Sequence, residues 1–92
     1  MQKKKYYYTI HAKEKLKEPA SKKLGITRKL IEKTIENPSA KDLSEKPVII
    51  AIGNLTETLS LCAVYRKVKK VIRIITFYPA EKGRYERKIL SG

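Results

Sequence analysis

Cysteine, histidine and glycine are scarce in this chain of 92 residues, and acidic side chains are heavily outnumbered by basic ones. The single cysteine, Cys62, excludes an internal disulfide and a cysteine-based zinc site. It lies in an apolar run with Leu59, Leu61, Ala63 and Val64, where it reads as a small buried hydrophobe rather than a reactive thiol. One histidine, His11, without clustered carboxylates gives no recognisable metal site. The four glycines are scattered, so there is neither a phosphate-cradling loop nor a glycine-x-serine-x-glycine nucleophile elbow. No apolar run approaches the roughly 20 residues that a membrane-spanning helix needs. The N-terminus carries Lys3–Lys5 followed by aromatics, in place of the apolar stretch and small-residue cleavage site of a signal peptide. These absences predict a cytoplasmic protein with no membrane partner and no cofactor.

What the chain has in abundance is positive charge. Lys and Arg number 22 against 9 Asp and Glu, a formal net charge of +13. Residues 1–37 hold 11 basic against 4 acidic side chains, residues 38–65 hold 2 against 3, and residues 66–92 hold 9 against 2. Two basic ends around a near-neutral middle are the footprint of a polyanion binder. Binding of that kind releases counterions and weakens steeply with salt. A merely lysine-rich solvated surface accounts for scattered lysines. It does not account for arginines interleaved with tyrosines near the C-terminus. An anionic membrane surface fits poorly, since no helix pairs this charge with a strongly apolar face.

The length allows one domain, residues 1–92, and 41% hydrophobic residues suffice for one core. Lys5–Ile10 is aromatic and β-branched, which predicts a short first strand or extended arm. A helix follows, with Thr9 as N-cap and Ala12 and Leu16 four apart. Pro19 ends or kinks it, and Ala20–Leu24 forms a second short turn stopped by Gly25 in the left-handed conformation. Thr27 caps a clearer helix whose Leu30, Ile31, Thr34 and Ile35 share a face. Asn37-Pro38 terminates it. After a polar loop, Ser39–Lys46, come an apolar run Val48–Ile52 broken by a turn at Gly53-Asn54, and two paired strands, Thr58–Arg66 and Val71–Tyr78, joined by Lys67–Lys70. Arg73 is the charged exception, expected on the face of Val71, Ile75 and Phe77. Pro79 ends the last strand, and Ala80–Leu90 is predicted to form a C-terminal helix carrying Arg84 and Tyr85. The expected fold is α+β: an antiparallel sheet of three to four strands, two N-terminal helices on one face, a short C-terminal helix, and the opposite face free to bind.

Several short motifs now line up. Gly25-Ile26-Thr27, Glu36-Asn37-Pro38, Ile52-Gly53, Ile72-Arg73-Ile74-Ile75-Thr76 and Arg84-Tyr85-Glu86-Arg87 occur in the order seen in BrnT-type toxins. The chain thus resembles these members of the RelE/ParE-like superfamily over roughly residues 9–90, with His11-Ala12 similar to the opening of a small domain family grouped near them. The resemblance implies a metal-independent endoribonuclease that cuts mRNA, either free or ribosome-bound, and is held inactive by an antitoxin protein. By motif position, Arg73 matches the arginine of the penultimate apolar strand, and Arg84 and Tyr85 match the C-terminal arginine-tyrosine pair. The chain departs from the pattern at Lys17–Leu24, which is longer and interrupted by Pro19. It departs again at Phe77-Tyr78-Pro79, where the toxins commonly carry further arginines.

Cleavage through the RNA's own 2′-hydroxyl needs positive charge where the phosphorane gains negative charge, and groups that move two protons. Arginine suits the first role because its planar fork meets two phosphate oxygens at once. The candidate catalytic set is Arg73, Arg84 and Tyr85, with His11 or Tyr85 as proton carrier. The candidate nucleic-acid-binding set is Arg66, Lys67, Lys82, Arg87, Lys88 and His11. Tyr6–Tyr8 beside Lys3–Lys5 offers rings on which single-stranded bases can stack, or a plain edge strand with a basic tail. A non-catalytic RNA-binding module and an antitoxin-like partner-binding module are the alternatives on the same fold.

Overall fold

The computed structural model describes residues 5–83, and their fold is α+β. Strand β1 (Lys5–Tyr8) leads into helices α1 (Ile10–Lys17), α2 (Pro19–Lys23) and α3 (Arg28–Glu36). Strands β2 (Ala40–Asp42), β3 (Ile49–Asn54), β4 (Leu59–Val68) and β5 (Val71–Glu81) follow. The five strands form one sheet in the order β1-β5-β4-β3-β2.

Local chemistry sets the helix ends much as the sequence predicts. The Thr9 hydroxyl oxygen accepts from the Ala12 N–H at 3.2 Å, and that of Thr27 from the Leu30 N–H at 3.2 Å. Pro19 both stops α1 and opens α2, where its missing N–H costs no hydrogen bond. Gly25 takes φ +73°, which lets the chain reverse out of α2. Helix α3 buries Ile31, Thr34 and Ile35. Ile31 and Ile35 join Ala12 and Ile26 against Tyr8, Ala51, Leu61, Ala63, Tyr65, Ile72, Ile74 and Phe77 of the sheet to form the core.

The sheet departs from expectation in several places. It has five strands rather than three to four, and it is mixed, because β1 lies parallel to β5 with Lys5 opposite Val71 and Tyr8 opposite Ile74. Three helices rather than two precede the main strands among the described residues. Strand β2 sits inside the stretch expected to be loop and pairs antiparallel with β3. Gly53 does not interrupt β3; it pairs with Leu61, and the turn comes after Asn54. Its lack of a side chain has a different cause: a Cβ there would lie 2.9 Å from Cγ2 of Thr34, so glycine lets α3 approach the sheet.

Pro79 does not end β5 either, since it pairs with Leu61 and the strand runs on to Glu81. Strand β1 borders β5 only over Val71–Ile74, so Pro79 lies on an edge where a missing N–H is tolerated. The expected helix over Ala80–Leu90 therefore does not begin at Ala80, which is strand, and its residues beyond Gly83 lie outside the described residues. A register shift between Val64 and Tyr65 leaves Ile75 as an extra residue of β5. The bulge reverses the alternation. Arg73 keeps the face of Val71, as expected, whereas Phe77 turns to the core face with Ile72 and Ile74 and is fully buried. Thr9 fastens the bulge, donating its hydroxyl to the Ile75 carbonyl at 2.9 Å and its N–H to the Ile74 carbonyl at 3.1 Å.

The close contact at Gly53 gives a test. Gly53→Ala drives a methyl into Thr34 and is expected to cost about 1–3 kcal/mol. Adding Thr34→Ala recovers most of that loss in urea unfolding, whereas Thr34→Ala with Gly53 intact recovers nothing.

Candidate nucleic-acid interface

Three consecutive tyrosines in β1 are dealt to opposite faces by strand alternation. The Tyr6 hydroxyl donates to Glu36 at 2.8 Å and the Tyr8 hydroxyl to Glu32 at 2.6 Å, both carboxylates standing on α3. Residues two apart on a strand are separated by about 6.6 Å and residues four apart on a helix by about 6 Å. Two tyrosines on one strand face thus match two glutamates on one helix face. The Arg28 guanidinium lies 4.7 Å from the centre of the Tyr8 ring and covers it. Burial, and then the hydrogen bond to Glu32, raises the Tyr8 hydroxyl well above its ordinary pKa of 10.0. Burial and the bond to Glu36 do the same to Tyr6. Burial alone raises Tyr65, and pushes the Cys62 thiol from 9.0 to about 11.

Tyr7 is left on the second face, with 52% of its surface exposed. Its partner across the parallel pair is Arg73, and the partner of Arg73 across the antiparallel pair is Arg66. Tyr7, Arg73 and Arg66 form one row over β1, β5 and β4. The adjoining row is Lys5, Val71 and Val68. At the end of these rows the chain reverses through Lys69-Lys70, with Lys69 at φ +58°, a conformation that glycine or asparagine adopts at lower cost. Tyr7, Val68, Lys69, Val71 and Arg73 line an open pocket of about 510 Å³.

The electrostatics of this end are one-sided. Arg66 and Arg73 are exposed and directly opposite one another, where like charges repel. Among the described residues neither guanidinium has a carboxylate partner. The contact Arg73 does make is with the Tyr7 ring at 5.9 Å from its centre, the outer limit of a cation–π interaction.

The second face is not free along its whole length. Ile52 and Cys62, which alternate with core residues, are buried, as is Ser60, and among the described residues the exposed side chains of this face gather at the β1–β5–β4 end. Of the residues expected to bind nucleic acid, Arg66 joins Arg73 there. Lys67 is exposed, but alternation places it on the opposite face. Lys82 follows the far end of β5, roughly 30 Å from Arg73 at about 3.3 Å per residue, and does not share its site. His11 is exposed in the first turn of α1 and does not line the pocket. Arg84, Tyr85, Arg87 and Lys88 lie outside the described residues. The pocket adds Tyr7, Val68, Lys69 and Val71, and the alternation of Tyr6-Tyr7-Tyr8 was the signal that one ring differs from its neighbours. Among the described residues there is no group of three or more His, Cys, Asp or Glu able to hold a metal ion, and no helix long and apolar enough to cross a membrane. Comparison with protein-family models, curated proteins and solved structures finds no significant match.

Two outcomes follow from these electrostatics. Tyr6 and Tyr8 bind their protons more tightly folded than unfolded, so their stabilisation is complete below pH 10 and declines as pH rises beyond it. Cys62 adds a decline between pH 9 and about 11. Thermal unfolding across this range should fall more steeply for the natural chain than for Tyr6→Phe/Tyr8→Phe. Separately, Arg66→Thr removes the repulsion with Arg73 and should stabilise by about 0.2–1 kcal/mol at low salt. The gain should shrink toward zero at 1 M salt, where the screening length is about 3 Å.

Proposed function

We propose that this chain binds single-stranded RNA at the β1–β5–β4 end of its sheet and cleaves it without a metal, as a toxin of BrnT type restrained by an antitoxin protein in the cytoplasm. The observation that carries the reading is the Arg66–Arg73 pair. Two arginines directly opposite one another, with no carboxylate partner among the described residues, repel and destabilise the sheet unless an anion lies between them. A phosphodiester supplies that anion, and the forked geometry of arginine suits it. The exposed Tyr7 ring beside them suits single-stranded rather than duplex nucleic acid, because only an unpaired base offers its face.

The chemistry follows the resemblance. The 2′-hydroxyl oxygen forms a bond to the adjacent phosphorus and the bond from phosphorus to the 5′-oxygen breaks. The products are a 2′,3′-cyclic phosphate and a 5′-hydroxyl. One proton leaves the 2′-oxygen and one reaches the departing 5′-oxygen. Arg73, with Arg84, neutralises the charge gained by the phosphorane; Tyr85 is the candidate proton carrier, since His11 stands outside the pocket.

A second reading, an RNA-binding module without catalysis, is favoured by one feature. Among the described residues the pocket lining offers cations, an aromatic ring and two valines, but no histidine or carboxylate to move protons.

Incubating RNA with the purified full chain in excess chelator decides between them. Cleavage leaving cyclic phosphate ends is expected, reduced about 100-fold or more in Arg73→Ala and in Tyr85→Phe. Salt-sensitive binding with intact RNA selects the second reading. Absence of both binding and cleavage, with free and with ribosome-bound RNA, sinks both.

A further inference from the structure

We propose that the pocket between Tyr7 and the β4–β5 turn is a subsite for one nucleotide, which stacks its base on Tyr7 and does not discriminate among adenine, cytosine and uracil. The inference rests on the RNA-binding reading and adds what this end of the sheet recognises and what it ignores.

The volume, about 510 Å³, falls within the roughly 300–1,000 Å³ of small-ligand sites. Its walls divide by chemistry. Tyr7 and Val68 are 52% and 43% exposed, among the few large apolar side chains left to solvent, and Val71 lies between them in the adjoining row. Clustering of exposed apolar surface marks a binding surface more often than scattered exposure does. Arg73 and Lys69 supply charge at the rim, and Arg66 stands just beyond Arg73. Rows two residues apart on a strand are separated by about 6.6 Å, so the row of Tyr7, Arg73 and Arg66 and the row of Val71 and Val68 lie within reach of one nucleotide. A base can cover Tyr7 and the valines while its phosphate meets the guanidiniums. Among the described residues, no acidic side chain lines the pocket to repel that phosphate.

What the lining lacks sets the specificity. Asn and Gln read adenine, Asp and Glu read cytosine, and Arg and Lys read guanine through its paired acceptors. Among the described residues only Arg73 and Lys69, which suit guanine, line this pocket from that set. Aromatic stacking is available to every base, and phosphate contacts carry no sequence information. For adenine, cytosine and uracil, affinity at this subsite therefore follows the presence of a base, not its identity.

The test uses the full chain and a short single-stranded oligonucleotide with 2′-O-methyl groups, which has no free 2′-hydroxyl to react. It carries one 2-aminopurine, and anisotropy reports binding while fluorescence quenching reports stacking. The natural chain is expected to bind and quench. Tyr7→Val keeps a strand-forming residue but should lose the quenching and weaken binding about 5- to 150-fold, whereas Tyr7→Phe keeps both. An oligomer with an abasic site should bind the natural chain as weakly as the intact oligomer binds Tyr7→Val. Uniform A, U and C oligomers should agree within a few-fold. Undiminished binding and quenching in Tyr7→Val, with its thermal unfolding unchanged, would overturn the subsite and leave the RNA-binding reading standing. A strong preference for one of these three bases would overturn the indifference to sequence. Failure of the natural chain to bind any of these oligomers, and RNA itself, would overturn both.

Discussion

The register of β1 is fixed by two phenol–carboxylate hydrogen bonds, Tyr6 to Glu36 and Tyr8 to Glu32. A strand slipped by one residue exchanges its faces. In β1 that slip would bury Tyr7, expose Tyr6 and Tyr8, and leave both glutamates without their donors. The matched spacing of strand and helix therefore does more than hold α3 beneath the sheet. It decides which ring faces outward, and with it the composition of the patch that Arg73 and Arg66 complete.

Parallel pairing of β1 with β5 has a second effect, on charge. The basic N-terminal third and the basic C-terminal third meet along one border, where Lys5 lies opposite Val71 and the Lys69-Lys70 turn follows close by. The near-neutral middle supplies β2 and β3, at the other side of the sheet. Lys5 from the first basic stretch and Arg66, Lys69 and Arg73 from the last are thus brought together at one end of the sheet. Repulsion within that end is tolerated because the core beneath it, with Tyr65, Phe77 and Ile74 fully buried, is independent of it.

Elements defined by local chemistry could be read from the sequence. Thr9, Thr27, Gly25 and Pro19 each act through hydrogen bonds or dihedral preferences within a few residues, and they stand where their side chains predict. The misread features depend on distant partners. Strand β2 is three polar or small residues that pair only because β3 is beside them. Gly53 looks like a turn residue until Thr34 is placed above it, and Pro79 looks like a stop until β1 is seen to end short of it. The bulge at Ile75 has no signature in the alternation, yet it decides that Phe77 is core while Arg73 is surface. In the site, the facing of Arg66 and Arg73 follows from a two-residue hairpin and was within reach. Tyr7 required the parallel partner, which no local pattern announces.

The hydrogen bond from the Thr9 hydroxyl to the Ile75 carbonyl joins residues 66 positions apart. Such a connection raises contact order, which slows folding and delays it during synthesis. On the ribosome, α1 to α3 and β2 to β4 emerge while the place beside β1 is still empty. The cationic end is assembled only when β5 leaves the exit tunnel. A nascent or truncated chain lacking β5 therefore has neither the Arg66–Arg73 pair nor the ring beside it in position, so any affinity for RNA arises late in the life of the growing polypeptide.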